Sequence, residues 1–218
     1  MGTSASCDRE RLERILCDQY NVINRRQLLA CGMTRGAIQH RVGPGGRWRI
    51  LLPGIYAAGS GPGPIQQREM AALLWAGQAG LITGSFAVRH YGLTASGPDS
   101  MEVLVPVHVR RQSIRFVRLI RTTRMPERFF RTGPIRVTAP ARAVADAVRG
   151  YRDINDARTL ICAAIQRQQC TLSELATELD EGPSRGSAML LRGLRDAARG
   201  IWSAAEGDLM DLIDRSDP

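Results

Sequence analysis

Between Thr34 and Arg49 the chain gathers side chains suited to an anionic partner with hydrogen-bonding edges: Thr34, Arg35, Gln39, His40, Arg41, Arg47 and Arg49. Arginine can place two N–H groups on the major-groove edge of guanine, and glutamine can pair with adenine in the same bidentate way. A threonine hydroxyl beside the first amides of a helix can hold a phosphate oxygen. No acidic residue lies between Thr34 and Val42, so nothing there repels a phosphate backbone. The chemistry expected of this stretch is recognition of double-stranded DNA. An acidic residue on its polar face would have excluded that reading.

The flanking pattern supplies elements to position these groups. Leu12, Ile15 and Leu16 fall at helical spacing between charges, predicting a helix over Arg9–Tyr20. Asn24 can cap a second helix, Arg25–Cys31, with Gln27 completing a capping box and Gly32 ending it. Thr34 then caps a third, Arg35–Val42, whose Ala37, Ile38 and Val42 should face a small core. That leaves Arg35, Gln39 and His40 outward and Arg41 on one flank. Two short helices around a glycine-containing turn have helix-turn-helix spacing.

After Gly43-Pro44-Gly45-Gly46, alternation over Arg47–Leu52 sets Trp48, Ile50 and Leu52 on one strand face and Arg47, Arg49 and Leu51 on the other. Pro53-Gly54 is a turn signal, and Ile55–Ala58 can return as the partner strand. Such a hairpin would be a wing, with Arg47 and Arg49 free to follow a DNA backbone. Trp48 and Tyr56 are better suited to packing.

The stretch Gly59–Pro64 reads as a linker, dividing the chain at residue 60. The expected architecture is α+β: a winged helix-turn-helix at 1–60, then an α+β part at 61–218. In that second part strands are expected within 80–138 and helices over 139–218. Strands are predicted over Met101–Val107 and Ile114–Ile120. Helices are predicted over Ile65–Ala79, from Ser85 through Tyr91, and over Thr138–Arg149, Ile154–Arg167 and Leu172–Leu179, with two more near Ser187–Ala198 and Ser203–Ile213.

Composition narrows the classes. With 44% hydrophobic and 23% charged residues, 218 residues can bury one large core or two small ones. All 30 basic residues are arginine, a bias that a GC-rich genome would produce, so their distribution is more informative than their number. Residues 1–60 carry a net +5, residues 61–142 carry +8, and residues 143–218 carry −4. Five scattered cysteines without CxxC spacing suggest neither a disulfide framework nor zinc, and reduced, mostly buried thiols are expected. No apolar run approaches a membrane span and no signal-peptide pattern opens the chain, so a cytoplasmic protein without membrane contact is expected.

Other groupings are weaker. Eight arginines between Arg110 and Arg131, interleaved with Phe116, Phe129 and Phe130, either extend a DNA footprint or are a solvated strand face and loop. His40, His90 and His108 show neither metal spacing nor a triad, and Asp146 is expected to be a cap or salt-bridge partner. No GxxxxGK[ST] or GxGxxG is present. No catalytic residue, metal or cofactor is therefore assigned.

The residues of the first part also carry a family resemblance. Ile23-Asn24-Arg25-Arg26-Gln27-Leu28-Leu29, Gly32-Met33-Thr34, Ala37-Ile38, Arg41-Val42, Gly46-Arg47-Trp48 and Pro53-Gly54-Ile55-Tyr56 resemble the N-terminal domain of AbiEi antitoxins of type IV toxin-antitoxin systems. The likeness continues through Ile82-Thr83-Gly84-Ser85, His90-Tyr91-Gly92-Leu93, Glu102-Val103-Leu104-Val105-Pro106 and Val137–Ala143 with Asp146. It implies a repressor of its own operon that binds promoter repeats, with a nucleotidyltransferase-like toxin as functional partner. A stand-alone transcription factor without a toxin, or an interaction module using a winged helix without DNA, are the alternatives. In longer relatives the segment matching Gly200–Ile213 leads into a nuclease-like domain, and Ser203-Ala204-Ala205-Glu206 resembles its opening helix. The remaining metal-binding acids of such a nuclease do not follow here, and Ser203 with Glu206 also forms a capping box, so no hydrolase is expected.

Overall fold

The computed structural model describes residues 7–200 and Glu206, and its architecture is mixed α+β. The order begins α1 (Arg9–Asp18), β1 (Val22–Asn24), α2 (Arg25–Ala30), α3 (Arg35–Val42), β2 (Trp48–Leu52), β3 (Ile55–Ala58) and α4 (Ile65–Ala76). It continues β4 (Leu81–Ile82), α5 (Gly84–Arg89), β5 (Met101–Pro106), β6 (Val117–Thr122), β7 (Phe129–Thr132) and β8 (Ile135–Thr138). Helices α6 (Pro140–Arg149), α7 (Ile154–Gln166), α8 (Leu172–Asp180) and α9 (Ser187–Ala198) follow. The helix expected near Ser203–Ile213 lies outside the described residues, Glu206 excepted.

The first sheet is antiparallel, in the order β1-β3-β2, and contributes to a hydrophobic core on each of its faces. Pleating sends successive side chains to opposite sides. Ile23 and Tyr56 therefore join Leu12, Leu28, Cys31, Met33 and Ile38 in a small core under α1–α3. Val22, Ile55 and Ala57 enter the main core on the other side. Helix α4 packs against this sheet and also against β4, β5 and β8 of the second sheet. Helices wedged in this way must be apolar on more than one side, and Met70, Ala71, Ala72, Leu73 and Ala76 are all buried. The Gly-Pro stretch at 59–64 interrupts regular structure, while packing runs continuously across it.

Strand β2 departs from its predicted alternation. Pairing steps from Ile50 opposite Tyr56 to Leu52 opposite Ile55, so Leu51 is the extra residue of a bulge. Beyond the bulge the pleat is out of phase. Leu52, expected beside Trp48 and Ile50, turns instead into the main core with Leu51, and Ile50 is left 48% exposed.

The second sheet is mixed, in the order β6-β5-β4-β8-β7, with β4 parallel to β8 and β5 parallel to β6. The strand predicted from Ile114 begins only at Val117. Ile114 and Val117 exchange main-chain hydrogen bonds across a tight turn, with Arg115 at φ 48°. The β7–β8 hairpin lies beyond the strands that the sequence pattern predicts, although Gly133, at φ 58° between its strands, is the residue its turn requires. Thr138 ends β8 rather than opening α6, which starts with Pro140 in its first turn. Ser85 does not cap α5; its hydroxyl donates to the Ser96 carbonyl at 2.9 Å.

Buried ion pairs join the rear helices. Asp146 accepts from Arg142 Nε at 2.9 Å, Arg149 Nη1 at 3.0 Å and Thr83 Oγ1 at 2.7 Å, which ties α6 to the end of β4. Arg158 and Asp196 join α7 to α9 at 2.9 Å. Asp146 is thus a salt-bridge partner. Among the described residues no helix is long and apolar enough to cross a membrane.

Candidate nucleic-acid interface

Helix α3 is held by local signals on both sides. Asn24 is at once the last residue of β1 and the N-cap of α2. Its Oδ1 accepts the Gln27 amide at 2.9 Å, while Gln27 Oε1 accepts the Asn24 amide at 3.0 Å. After α2 the chain turns through Gly32, at φ 80°, and the Met33 amide returns to the Leu28 carbonyl at 3.1 Å. Thr34 Oγ1 then accepts the Ala37 amide at 3.2 Å and starts α3. Its hydroxyl proton is left to donate elsewhere.

Ile38 anchors α3 in the small core, with Ala37 and Val42 half-buried beside it. The opposite face presents Arg35, Gly36, Gln39 and His40 to solvent. From Gln19 through Arg68 the chain has no Asp or Glu and seven arginines, a signal in the sequence broader than the acid-free helix alone. With no carboxylate on its own element, this face keeps a positive potential able to steer an anion.

Arg41 is half-buried and partly engaged. Its Nη1 donates to the Ala37 carbonyl at 3.3 Å, and its guanidinium sits 5.8 Å from the Trp48 ring centre. The chain then passes so close to the end of α3 that a Cβ on Gly46 would lie 2.2 Å from the Arg41 carbonyl oxygen. Only glycine fits this return, which brings the exposed Arg47 beside the C-terminus of α3.

Arg49 corrects the expected wing. It pairs with Ala57 on the face turned toward α4, not on a free face. There its Nη2 donates to Gln67 Oε1 at 2.6 Å and its Nε to the Gly59 carbonyl at 3.3 Å, while Gln67 Nε2 donates to the Tyr20 carbonyl at 3.0 Å. Arg49 is therefore a strap between the hairpin and α4. The hairpin itself is short. Its turn, Pro53-Gly54 with Gly54 at φ 71°, is tied back by the Arg25 amide donating to the Gly54 carbonyl at 2.7 Å. Arg47 and the loop before it remain as the hairpin's exposed basic contribution.

The Arg110–Arg131 group is spent largely within the molecule. Arg111 donates to the Trp75 carbonyl and Arg115 to Leu51, Arg118 pairs with Glu102, Arg121 donates to Val109 and Arg111, and Arg124 pairs with Glu178. Arg131 lies over the Phe129 ring. His90 is a structural histidine, its Nε2 2.8 Å from Glu69 Oε1 in a nearly buried pair. His108 is exposed. No disulfide joins the described cysteines; Cys31, Cys162 and Cys170 are buried, and burial pushes the Cys170 thiol up to about 12. Among the described residues no three His, Cys, Asp or Glu side chains are grouped to hold a metal ion.

The class this geometry defines is a mixed α+β protein with a basic, acid-free helix face near its N-terminus. No protein-family model and no curated protein matches the chain. Among solved structures, its fold is similar to that of the RV2827C protein from Mycobacterium tuberculosis, with a TM-score of 0.50 and 15% identity over 91% of this chain and 78% of that one. At that identity the likeness concerns the fold alone.

Proposed function

We propose that the chain is a sequence-specific, DNA-binding transcriptional regulator whose residues 9–58 form a winged helix-turn-helix. The observation that carries this reading is α3, buried through Ile38 and presenting Arg35, Gln39 and His40 on an exposed face without a carboxylate. In this reading α3 enters the major groove, and Arg35 and Gln39 meet base edges. Thr34, Arg41 and Arg47 contact phosphates around it. Arg49 is left out because it is bound to Gln67 and Gly59. The resemblance to AbiEi antitoxins adds the expectation of a repressor acting on repeats in its own promoter, with a nucleotidyltransferase-like toxin as functional partner.

An electrophoretic shift with the DNA upstream of its own gene tests the proposal. The expected result is a retarded complex that forms more tightly than with random DNA and weakens as salt rises. No complex at low salt, or equal affinity for both DNAs, overturns it. The antitoxin part is tested separately, by asking whether co-expression relieves the toxicity of a neighbouring nucleotidyltransferase-like product.

A further inference from the structure

Where α2, the β2–β3 turn and α4 meet, the molecule has an open cleft of about 980 Å³. Five arginines line it: Arg11, Arg25 and Arg26 from the first three helices' side, Arg111 and Arg136 from beyond the linker. No carboxylate is among its lining residues. The arginines that have partners there use main-chain carbonyls, which position a guanidinium without cancelling its charge. Arg136 donates to Gly80 and Gly77 at 3.1 Å each, and Arg11 to Ala30 at 3.3 Å. Arg25 and Arg26 stand exposed at the rim.

The other lining groups give the cleft a second character. Met70, Leu73 and Trp75 supply apolar surface from α4. Gln19 also faces the cleft, and its Oε1 is buried without a hydrogen-bond partner. Buried polar atoms are normally satisfied, so an orphaned acceptor in a cleft wall marks a place for a donor. The lining is about equally polar and apolar, so a ligand that fits it carries charged or polar groups on an organic body.

We infer that this cleft binds a small phosphate ester of the nucleotide class. Its phosphates lie against the arginines, and its base, which carries N–H donors, lies toward Trp75 and Gln19. A guanidinium takes phosphate oxygens in bidentate fashion, which is why arginines from both sides of the cleft suit such a ligand. Burial lowers the pKa of Arg136, with Arg131 adding to the effect, as expected of a cation that lacks an anion close by. The inference does not depend on DNA binding, because every group it uses lies outside the exposed face of α3. A ligand seated there would touch both α2 and α4 and so stiffen their junction.

The test titrates the full chain with GTP, ATP, inorganic pyrophosphate and a short random DNA duplex, using calorimetry and tryptophan fluorescence. Saturable binding of a nucleoside triphosphate, tighter than pyrophosphate, is expected. Replacing the two rim residues together, Arg25→Ala with Arg26→Ala, should weaken it by about tenfold or more, the effect of losing one charge-assisted hydrogen bond. Arg152→Ala with Arg185→Ala removes the same charge from exposed positions elsewhere and should leave nucleotide affinity unchanged. Gln78→Glu, which adds a carboxylate at the exposed edge of the cleft, is a second variant and should also weaken binding. Equal losses in both double variants would reduce the effect to bulk charge and overturn the site. Absence of saturable nucleotide binding, or a rim variant that changes only DNA affinity, overturns it too. In the last case the arginines belong to a DNA-backbone contact.

Discussion

Arg47 and Arg49 are two residues apart with the same side chain, but Arg47 lies in the loop before β2 while Arg49 lies within the strand on the face that α4 covers. Arg47 is exposed beside the end of α3, whereas Arg49 is bound to Gln67 and Gly59. Replacing Arg35 or Gln39 by alanine should cost about 1–3 kcal/mol of preference for the specific site. Arg47→Ala should weaken specific and random DNA alike, and binding isotherms on both DNAs separate the two outcomes. Arg49→Ala should instead appear as a lower melting temperature. Glu102 offers a second prediction at this scale. Burial, opposed by Arg118 and assisted by Asp146, pushes its carboxyl from the ordinary 4.5 up to about 6. The native state therefore binds more protons than the unfolded chain between those values, and stability falls as pH rises through that window. Glu102→Gln should stabilise the protein by up to about 2 kcal/mol above pH 6, and the gain should vanish below about pH 4.5, as read from denaturant midpoints.

Among the elements, α2 and α3 depend on few residues. Asn24 closes β1 and opens α2, so Asn24→Ala should cost about 1 kcal/mol of stability. Leu28, fully buried beneath both helices, should cost about 2–5 kcal/mol when cut to alanine, because the small core has little else to collapse into the space. Chemical denaturation of the two variants checks both values. The bulge at Leu51 works in the opposite direction from a defect. It lets two consecutive leucines face α4, and so fastens the hairpin to the rest of the chain.

For the whole molecule, the small sheet is a shared wall. Val22, Leu52, Ile55 and Ala57 belong to the core beyond the linker, so cutting the chain at residue 58 would bare them. Leaving them in water costs on the order of 5 kcal/mol, comparable to the entire stability of a small domain. A fragment of residues 7–58 is therefore expected to lack a cooperative thermal transition, while the full chain melts in one. Calorimetry checks this, and a fragment that unfolds cooperatively with helical circular dichroism intact would refute it.

Features set within a few residues were legible in the sequence. The caps at Asn24 and Thr34, the span of α3, the outward set Arg35, Gln39 and His40, and the Pro53-Gly54 turn each depend on contacts no more than four residues apart. Tertiary structure alone decided the rest. Strands β1 and β4 are too short to show a period of their own, and they exist because neighbours pair with them. The face that Leu52 occupies depended on a bulge that alternation could not announce, and the face that Arg49 shares with Leu51 is covered by α4 only in the tertiary structure. The arginine-lined cleft gathers Arg25, Arg26, Arg111 and Arg136 from positions up to 111 residues apart. Local pattern reports the energetics of a turn or a cap, whereas burial on a second face and the convergence of distant charges are settled only when the cores close.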